Sequence, residues 1–172
     1  MGILSKKEVR NLVLNKRLSL SQEIISLQSD SIIKLIRQDK NYQTSQKIGI
    51  YLPIKGEVDV RRLLTDDKIF CVPKVVGSEM IFTKIDLNTK YHTGKYNILE
   101  PINTELIIEI DYLIVPSVAI YNNYRLGFGG GYYDKYLSQS RPKHVVGVIY
   151  DFQEVPFELD AHDQPLDYYF KG

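Results

Sequence analysis

Along the N-terminal part of the chain, apolar side chains recur every three to four residues among basic ones. That spacing is typical of a helix with one apolar side. Ser5 followed three residues later by Glu8 has the spacing of a capping box, which predicts where this helix begins. Its apolar side is expected to carry Val9, Leu12 and Val13, with basic residues around the rest.

A second helix is predicted after the first and is expected to reach about residue 37. Ser19 and Gln22 repeat the capping spacing at its start. Residues 39–46 are polar and predict a loop at its end. The side chains expected to form the buried stripe of this helix are Ile25, Ile32, Leu35 and Ile36.

From Lys47 onward the pattern changes to short apolar runs, several of which end at a proline. Runs of this length are typical of strands, and a run without polar interruption, such as residues 112–115, is typical of a strand buried on both faces. Helical patterns at residues 57–64 and 132–137 lie between the runs. Strands that alternate with helices predict an α/β fold with helices on the faces of the sheet. The predicted strands are residues 47–52, 69–72, 80–85, 112–115 and 145–150.

Composition narrows the class of protein without pointing to one activity. A chain of 172 residues, 44% hydrophobic and 25% charged, fits one globular domain that spans residues 1–172. These values exclude a disordered tail, a collagen-like repeat and a disulfide scaffold. The net charge of +1 argues against nucleic acid or an anionic membrane as a partner. Small molecules are the partners that we expect.

The expected location is the cytoplasm. Lys6 and Lys7 stand where a signal peptide would place its apolar segment. Residues 112–121, the most apolar stretch, are too short to cross a membrane and contain Pro116. Cys71 has no second cysteine to pair with, which favours a reducing compartment. For the assembly state, we expect a monomer or a weak dimer.

The segment with the clearest chemistry is residues 124–134, where four glycines fall within five positions. Ordering glycine costs backbone entropy, so this density needs a reason. The segment follows a predicted buried strand and precedes a predicted helix, which is where open α/β sheets bind ligands. Backbone N–H groups and the flanking Arg125 can bind phosphate oxygens, and Asp134 can hold Mg²⁺. The segment therefore predicts a nucleotide phosphate site.

Other interpretations of this loop remain open from the residues alone. A dinucleotide fingerprint would need glycine at the position of Tyr132, and a Walker loop would need Gly-Lys before Ser or Thr. A plain glycine-rich surface turn is one alternative. A non-catalytic nucleotide- or RNA-binding module and another ATP-dependent ligase are two more. A zinc enzyme is not favoured, because His92, His144 and His162 lie far apart along the chain.

Residues 114–137, IVPSVAIYNNYRLGFGGGYYDKYL, resemble the signature region of the 5-formyltetrahydrofolate cyclo-ligase family, whose members are also called 5,10-methenyltetrahydrofolate synthetases. The resemblance extends over nearly the whole chain in the family's order. KKEVRNLVLNKRLSLS is similar to the family's basic first helix, and IGIYLPIKGEVDVRRLL to its folate-site strand and helix. YNILEP resembles the family's mid-chain segment, and Gln153 with His162-Asp163 resembles its C-terminal part.

The resemblance implies a three-layer α/β sandwich with a mostly parallel sheet and helices on both faces. It also implies an enzyme that converts 5-formyltetrahydrofolate and ATP to 5,10-methenyltetrahydrofolate, ADP and phosphate, with Mg²⁺ as cofactor. In that reaction the formyl oxygen is phosphorylated, N10 attacks the activated carbon, and phosphate leaves as the ring closes. Phosphoryl transfer of this kind depends on positioning and on charge neutralisation.

The resemblance also implies roles for individual residues. Arg10 and Arg125 would be the catalytic cations, and Asp134 and Asp163 would hold the magnesium. The residues implied to contact ATP are Lys6, Lys7, Glu8, Val9, Arg10, Arg125, Leu126, Gly127, Phe128, Gly129, Gly130, Gly131, Tyr132 and Tyr133. The residues implied to contact the folate are Leu52, Glu57, Phe128, Gly129, Gly130, Gly131 and Tyr132. One departure is Gly130, where the family often has Lys.

Glu57 has two interpretations on sequence alone. It would begin the predicted helix at residues 57–64, and an acidic residue in a first helical turn complements the helix dipole. Alternatively, its carboxylate would accept hydrogen bonds from the donor edge of a reduced pterin, an exocyclic amine beside a ring N–H. These interpretations separate a folate enzyme from another user of ATP.

Overall fold

A six-stranded sheet forms the centre of the structure, a computed structural model that describes residues 2–94, 97–102 and 105–172. The α-helices are α1 (Lys6–Leu18), α2 (Gln22–Gln38), α3 (Lys40–Thr44) and α4 (Tyr132–Ser140). The strands are β1 (Lys47–Gly49), β2 (Ile69–Val76), β3 (Glu79–Ile85), β4 (Tyr91–Thr93), β5 (Leu99–Pro101), β6 (Tyr112–Val115), β7 (Ala119–Tyr121), β8 (Tyr124–Leu126), β9 (His144–Ile149) and β10 (Tyr168–Lys171).

The strand order in this sheet is β10–β9–β6–β1–β2–β3, and every neighbouring pair is parallel except β2 with β3. All four residues of β6 are buried, as predicted for a strand covered on both faces. Ile114 packs in the cluster that contains the apolar stripe of α2, whereas Leu113 packs in the cluster that contains Leu137 of α4. The predicted α/β fold with a mostly parallel sheet and helices on both faces is confirmed.

Helix α1 begins as its capping box predicted, with Ser5 and Glu8 bonding each other's backbone N–H groups. Its buried residues are Val9, Val13 and Arg17, which lie four apart and so share one face. That face packs in the cluster that holds the β7–β8 hairpin. The expectation that Leu12 would be buried is wrong, because Leu12 lies off this face and is 57% exposed.

Helix α2 ends at Gln38, close to the predicted end, but it begins later than predicted. Ser21 caps it by accepting a hydrogen bond from the Ile24 N–H, whereas Ser19 ends α1. Ile33 is buried beside Ile32 and Ile36, while Leu35 is 37% exposed, so the predicted stripe is rotated. The polar segment predicted as a loop contains the short helix α3, because the Asp39 side chain accepts from the Asn41 N–H and caps it.

Strand β1 ends at Gly49, three residues earlier than predicted, and the chain then leaves the sheet. Because β1 pairs with β2 only as far as Cys71, the later part of β2 is free on that side and continues through Pro73 as the antiparallel partner of β3. The helix predicted at residues 57–64 is instead a 3₁₀ helix at Arg61–Thr65. Glu57 therefore precedes that helix, and the helix-dipole interpretation of Glu57 is wrong.

Three features were not predicted: the β4–β5 hairpin, the β7–β8 hairpin and the edge strand β10. The two-residue turn of β7–β8 is Asn122-Asn123, and both residues have a positive φ, as a tight hairpin turn requires. Tyr96 of the YNILEP segment lies outside the described residues. Among the helices of the described residues, none has the length and apolar character needed to span a membrane.

Candidate active site

A cleft of about 860 Å³ lies at the end of the sheet where β1 and β6 finish. It gathers residues that are distant in sequence, from α1, the segment after β1, the β8–α4 loop and the stretch before β10. All but three of the predicted site residues line it. The exceptions are Lys7 and Glu8, which are exposed elsewhere on α1, and Val9, which is buried in the core.

The loop between β8 and α4 requires glycine at several positions for steric reasons. Gly129 and Gly131 have φ values of 108° and 73°, a region that side chains disfavour. A Cβ on Gly127 would lie 2.6 Å from Nη2 of Arg125, so only glycine leaves room for that guanidinium. Gly131 is the N-cap of α4 and supplies no side-chain cap, which leaves the first N–H groups of α4 available to a ligand.

Arg125 is held rigidly under this loop. It is 9% exposed, and its Nε donates to the Pro116 carbonyl at 3.0 Å. Its guanidinium lies 4.7 Å from the ring centroid of Tyr133. Burial lowers the pKa of Arg125, and the neighbouring Tyr133, Asp134 and Glu57 act in the opposite direction. Among the described residues, its two Nη atoms have no hydrogen-bond partner, so they remain available to an anion.

Arg10 holds the loop from the other side. Its Nε donates to the Gly127 carbonyl at 2.8 Å, and its guanidinium carbon would lie 3.6 Å from a Cβ on Gly129. Lys6, one turn earlier on the same face of α1, also lines the cleft. Two cations of α1 and one from the distant strand β8 therefore line the cleft with the glycine loop, which is the arrangement expected of a polyphosphate site.

An acidic cluster lies beside these cations. The Lys6 ammonium contacts Asp160 at 2.7 Å and both carboxylate oxygens of Asp163 at 2.8 and 2.9 Å. Burial opposes the charge of Lys6, but these bonds raise its pKa above the usual value. Asp134 accepts from the Gln164 N–H at 3.1 Å, which places it next to Asp163. The two predicted metal ligands therefore line the same cleft, although Asp134 is not part of the group of close ligand atoms formed by Asp160, His162 and Asp163.

The donor atoms of this cluster fit a magnesium ion. Carboxylate oxygens are the ligands that this hard cation prefers, and Asp134 and Asp163 supply them at the edge of the phosphate loop. Asp160 and His162 have donor atoms within 4.8 Å of each other and of Asp163. Asp160 was not predicted, since an exposed aspartate in a polar C-terminal stretch carries no distinctive pattern. His92 and His144 lie outside the cluster.

Glu57 lines the same cleft and is 6% exposed. A tight turn holds it: the Glu57 N–H donates to the Ile54 carbonyl at 3.0 Å, and the Ile54 N–H donates to Oε1 of Glu57 at 2.9 Å. Lys55 and Gly56 in the middle of the turn both have positive φ. Oε2 of Glu57 keeps its acceptor capacity, and Oε1 has a second lone pair. The carboxylate can therefore accept from two donors of one ligand.

The pKa of Glu57 is raised to about 7 because burial disfavours its charged form. Arg17, the Ile54 N–H and Arg125 act against this shift but do not overcome it. Leu52, which the family resemblance implies contacts the folate, lies on an apolar wall of the same cleft. The other apolar side chains of that wall come from β2, β3 and the β4–β5 hairpin: Val72, Pro73, Val75, Met80, Ile98 and Leu99.

Besides Asp160, two further residues at or behind the cleft were not predicted. Ser117, directly after β6, lines the cleft with a buried hydroxyl that has no hydrogen-bond partner among the described residues. Arg17 is 1% exposed, although its position in a basic helix gave it the pattern of a solvated residue. The spacing of four between Val9, Val13 and Arg17 was the available signal.

The Glu57→Gln variant should be more stable than the wild type at pH 8, by about 1–3 kcal/mol. A carboxyl whose folded pKa is about 7 instead of the ordinary value near 4.5 stabilises the fold when protonated. That contribution is lost as the pH rises through 7, whereas glutamine keeps the neutral form. Urea unfolding at pH 5 and pH 8 measures the difference, with the exposed Glu158→Gln as control. Equal stabilities of wild type and Glu57→Gln at pH 8 would contradict the expectation.

Comparison with known proteins gives consistent matches. The chain matches the model of the 5-formyltetrahydrofolate cyclo-ligase family over residues 3–170. It is 34% identical over 173 residues to the 5-formyltetrahydrofolate cyclo-ligase of Mycoplasma pneumoniae, covering 95% of this chain and 96% of that protein. It is 32% identical over 173 residues to the enzyme of the same name from Mycoplasma genitalium, covering 96% of each chain.

Two solved structures are also similar. The 5,10-methenyltetrahydrofolate synthetase of Mycoplasma pneumoniae superposes with a TM-score of 0.78 at 31% identity, covering 96% of this chain and 98% of that one. The 5,10-methenyltetrahydrofolate synthetase of Aquifex aeolicus superposes with a TM-score of 0.83 at 35% identity, covering 96% of this chain and 89% of that one.

Proposed function

Because the chain belongs to the 5-formyltetrahydrofolate cyclo-ligase family of enzymes, we propose that it closes the ring of 5-formyltetrahydrofolate to give 5,10-methenyltetrahydrofolate. We propose further that ATP is the second substrate, that Mg²⁺ is the cofactor, and that ADP and phosphate are released. The observation that carries this proposal is one cleft that is lined by two chemically different groups of residues. Arg10, Arg125 and the glycine loop form one group, here called the phosphate end, and buried Glu57 with an apolar wall forms the other, here called the folate end.

The phosphate end supports ATP as the phosphoryl donor. Arg125 and Arg10 are fixed by backbone carbonyls, so their charges are positioned before a ligand arrives. Preorganised cations of this kind stabilise charge that develops during phosphoryl transfer. Asp134 and Asp163 would hold the magnesium, which when bound supplies further neutralisation of phosphate charge. Lys6 would then exchange its carboxylate partners for a phosphate oxygen.

The folate end, formed by Glu57 and the apolar wall, supports a reduced pterin as the substrate. A pterin is flat and apolar on its faces but has adjacent N–H donors along one edge. Glu57 offers acceptor atoms at the end of the cleft, and Leu52, Val72 and Met80 offer apolar surface. A ligand without the donor edge would leave the buried carboxylate without hydrogen-bond partners, which costs free energy. This part of the cleft would therefore discriminate strongly against such molecules.

The reaction follows from the two ends taken together. The formyl oxygen attacks the γ-phosphorus of ATP and ADP departs, which converts a poor leaving group into a good one. N10 then attacks the activated carbon, loses its proton, and the carbon–oxygen bond breaks with release of phosphate. Arg125 and Arg10 would bind the transferring phosphoryl group, and the N–H groups of residues 129–131 would add donors. No protein nucleophile is required in this scheme.

Formation of the methenyl chromophore tests the proposal most directly. The purified chain should convert 5-formyltetrahydrofolate to a product with the near-ultraviolet absorption of 5,10-methenyltetrahydrofolate, and only when ATP and Mg²⁺ are both present. A protein that binds ATP by calorimetry but forms no chromophore would be a nucleotide-binding module instead. Chromophore formation without ATP would contradict the phosphorylation step.

Replacing Arg125 by Ala should lower kcat/KM by a factor of about 10²–10³, the cost of one preorganised charge donor in a transition state. The physical reason is the loss of a buried cation beside the reacting phosphoryl group. Arg141→Ala is the matched control, since Arg141 is an exposed arginine paired with Asp167 outside the cleft. A folded Arg125→Ala enzyme with the activity of the control would remove Arg125 from the mechanism.

Replacing Asp163 by Asn should raise the Mg²⁺ concentration for half-maximal activity by about tenfold or more, because one anionic ligand is lost. Activity is measured across a magnesium titration at saturating ATP and folate. Asp67→Asn is the control, an exposed aspartate that does not line the cleft. An unchanged magnesium requirement in Asp163→Asn would assign the metal to other ligands.

A further inference from the structure

Arg17 is an unusual residue for the buried face of a helix. It shares that face with Val9 and Val13, and only 1% of it is exposed. A guanidinium in such a place is costly unless hydrogen bonds and an opposite charge compensate it. Among the described residues, no carboxylate forms an ion pair with Arg17. The residue therefore needs an explanation other than packing or solubility.

The contacts of Arg17 link the two ends of the cleft. Its Nε donates to the Lys55 carbonyl at 2.8 Å, within the turn that holds Glu57. Its Nη1 donates to the Ser117 carbonyl at 3.4 Å, and its guanidinium carbon lies 5.7 Å from the ring centroid of Phe128. Nη2 is buried and has no partner among the described residues. One side chain thus touches the Glu57 turn, the end of β6 and the glycine loop.

Packing between α1 and this turn is equally close. Gly56 has a φ of 77°, and a Cβ there would lie 2.8 Å from the Arg17 carbonyl oxygen. The same Cβ would lie 3.3 Å from Cγ of Arg17. The turn that carries Glu57 consequently rests directly on Arg17, and its position is set by that residue's backbone and side chain.

The charges that face Glu57 come from several elements. Arg17 acts from α1 and Arg125 from β8, and both favour the ionised carboxylate. The hydroxyls of Tyr51, Tyr133 and Tyr150 also lie within its electrostatic surroundings but carry no charge at neutral pH. Arg125 belongs to the proposed phosphate end, where bound ATP would engage its charge. Arg17 is not among the residues that line the cleft, and Glu57 is the carboxylate on which its charge acts most strongly.

This inference rests on the proposed folate site. We propose that Arg17 is a positioning residue for folate recognition: it fixes the turn of residues 54–57 through the Lys55 carbonyl and holds the Glu57 carboxylate in its ionised, hydrogen-bond-accepting form. The ligand recognised is the donor edge of a reduced pterin. Arg17 acts through Glu57 and does not itself touch the substrate.

Two roles of Arg17 can be distinguished: fixing the turn of residues 54–57, and keeping the Glu57 carboxylate ionised. They predict different pH dependences of folate binding. Removing a structural tie weakens folate binding by the same factor at every pH. Removing the positive charge raises the pKa of Glu57, so binding weakens most where the carboxylate becomes protonated and recovers at high pH. The pH dependence of binding therefore separates the two roles.

The experiment measures the Kd of 5-formyltetrahydrofolate by calorimetry, without ATP, from pH 6 to pH 9. Arg17→Gln should weaken binding about tenfold at pH 7 and much less at pH 9, since a shift of one pKa unit changes a protonation equilibrium tenfold. Arg17→Lys keeps the charge and should retain the wild-type pH dependence. The Kd for ATP should change less than about twofold in both variants.

Tyr150→Phe is the matched control, because the Tyr150 hydroxyl donates to the Gly56 carbonyl at 2.8 Å in the same turn and contributes no charge. It should weaken folate binding equally at all pH values. Glu57→Gln should abolish the pH dependence, which excludes titration of the ligand as its source. An Arg17→Gln profile parallel to that of Tyr150→Phe, or an unchanged Kd, would overturn the proposal.

If Arg17→Gln does not fold, a second variant still tests the proposal. The double variant Arg17→Gln/Glu57→Gln removes both buried charges and should recover a cooperative melting transition, because an uncompensated carboxylate is no longer buried. Failure of the double variant to recover would assign Arg17 a purely structural role. A wild-type protein that binds 5-formyltetrahydrofolate but forms no methenyl product would refute the proposed reaction while leaving this inference standing.

Discussion

Three buried charges at one edge of the sheet, on Arg17, Arg125 and Glu57, are the constraint around which the site is organised. Their residues are 1%, 9% and 6% exposed, respectively. Charges buried this deeply interact over longer distances than surface charges do, because little water screens them. Each is held in place by backbone groups: carbonyls accept from the arginines, and an N–H donates to the glutamate. Burying these three groups costs free energy, but it fixes their positions before a substrate binds.

Helix α1 connects the parts of this arrangement. Lys6 contacts the acidic cluster, Arg10 holds the glycine loop, and Arg17 supports the Glu57 turn. The intervals of four and seven residues put all three side chains on one face of the helix. A single helix therefore sets the relative positions of the acidic cluster, the glycine loop and the turn that carries Glu57. The hairpin β7–β8 packs against the same helix and leads into Arg125 and the glycines.

The cleft exists because one strand of the sheet ends earlier than its neighbour. Because β1 stops at Gly49, the later half of β2 presents Val72 and Pro73 to the cleft instead of to another strand. The segment after β1 then folds back through the turn of residues 54–57 and brings Glu57 opposite the glycine loop. Substrate-sized space at this edge thus results from one short strand and one tight turn.

Local patterns in the sequence were enough to predict the elements whose signals are local. The capping box of α1, the apolar run of β6 and the glycine loop with Arg125 and Asp134 each depend on residues close together in the chain. The α/β class followed from the alternation of such elements. The resemblance to a known family, carried by the RLGFGGGYYD segment, supplied the expected activity and half of the residues that line the cleft.

Burial and charge balance were decided by contacts between distant segments. Arg17 has the local pattern of a solvated arginine, yet its face of α1 is covered by residues about forty and one hundred positions away. Leu12 has the pattern of a core residue, yet more than half of its surface is exposed. The same holds for Glu57, whose raised pKa depends on what surrounds the turn, and for Asp160, whose carboxylate contacts the ammonium of Lys6, 154 positions away in the chain. A sequence encodes the period of an element, but which side of that element meets another, and how much water remains between them, depends on the packing of the whole chain.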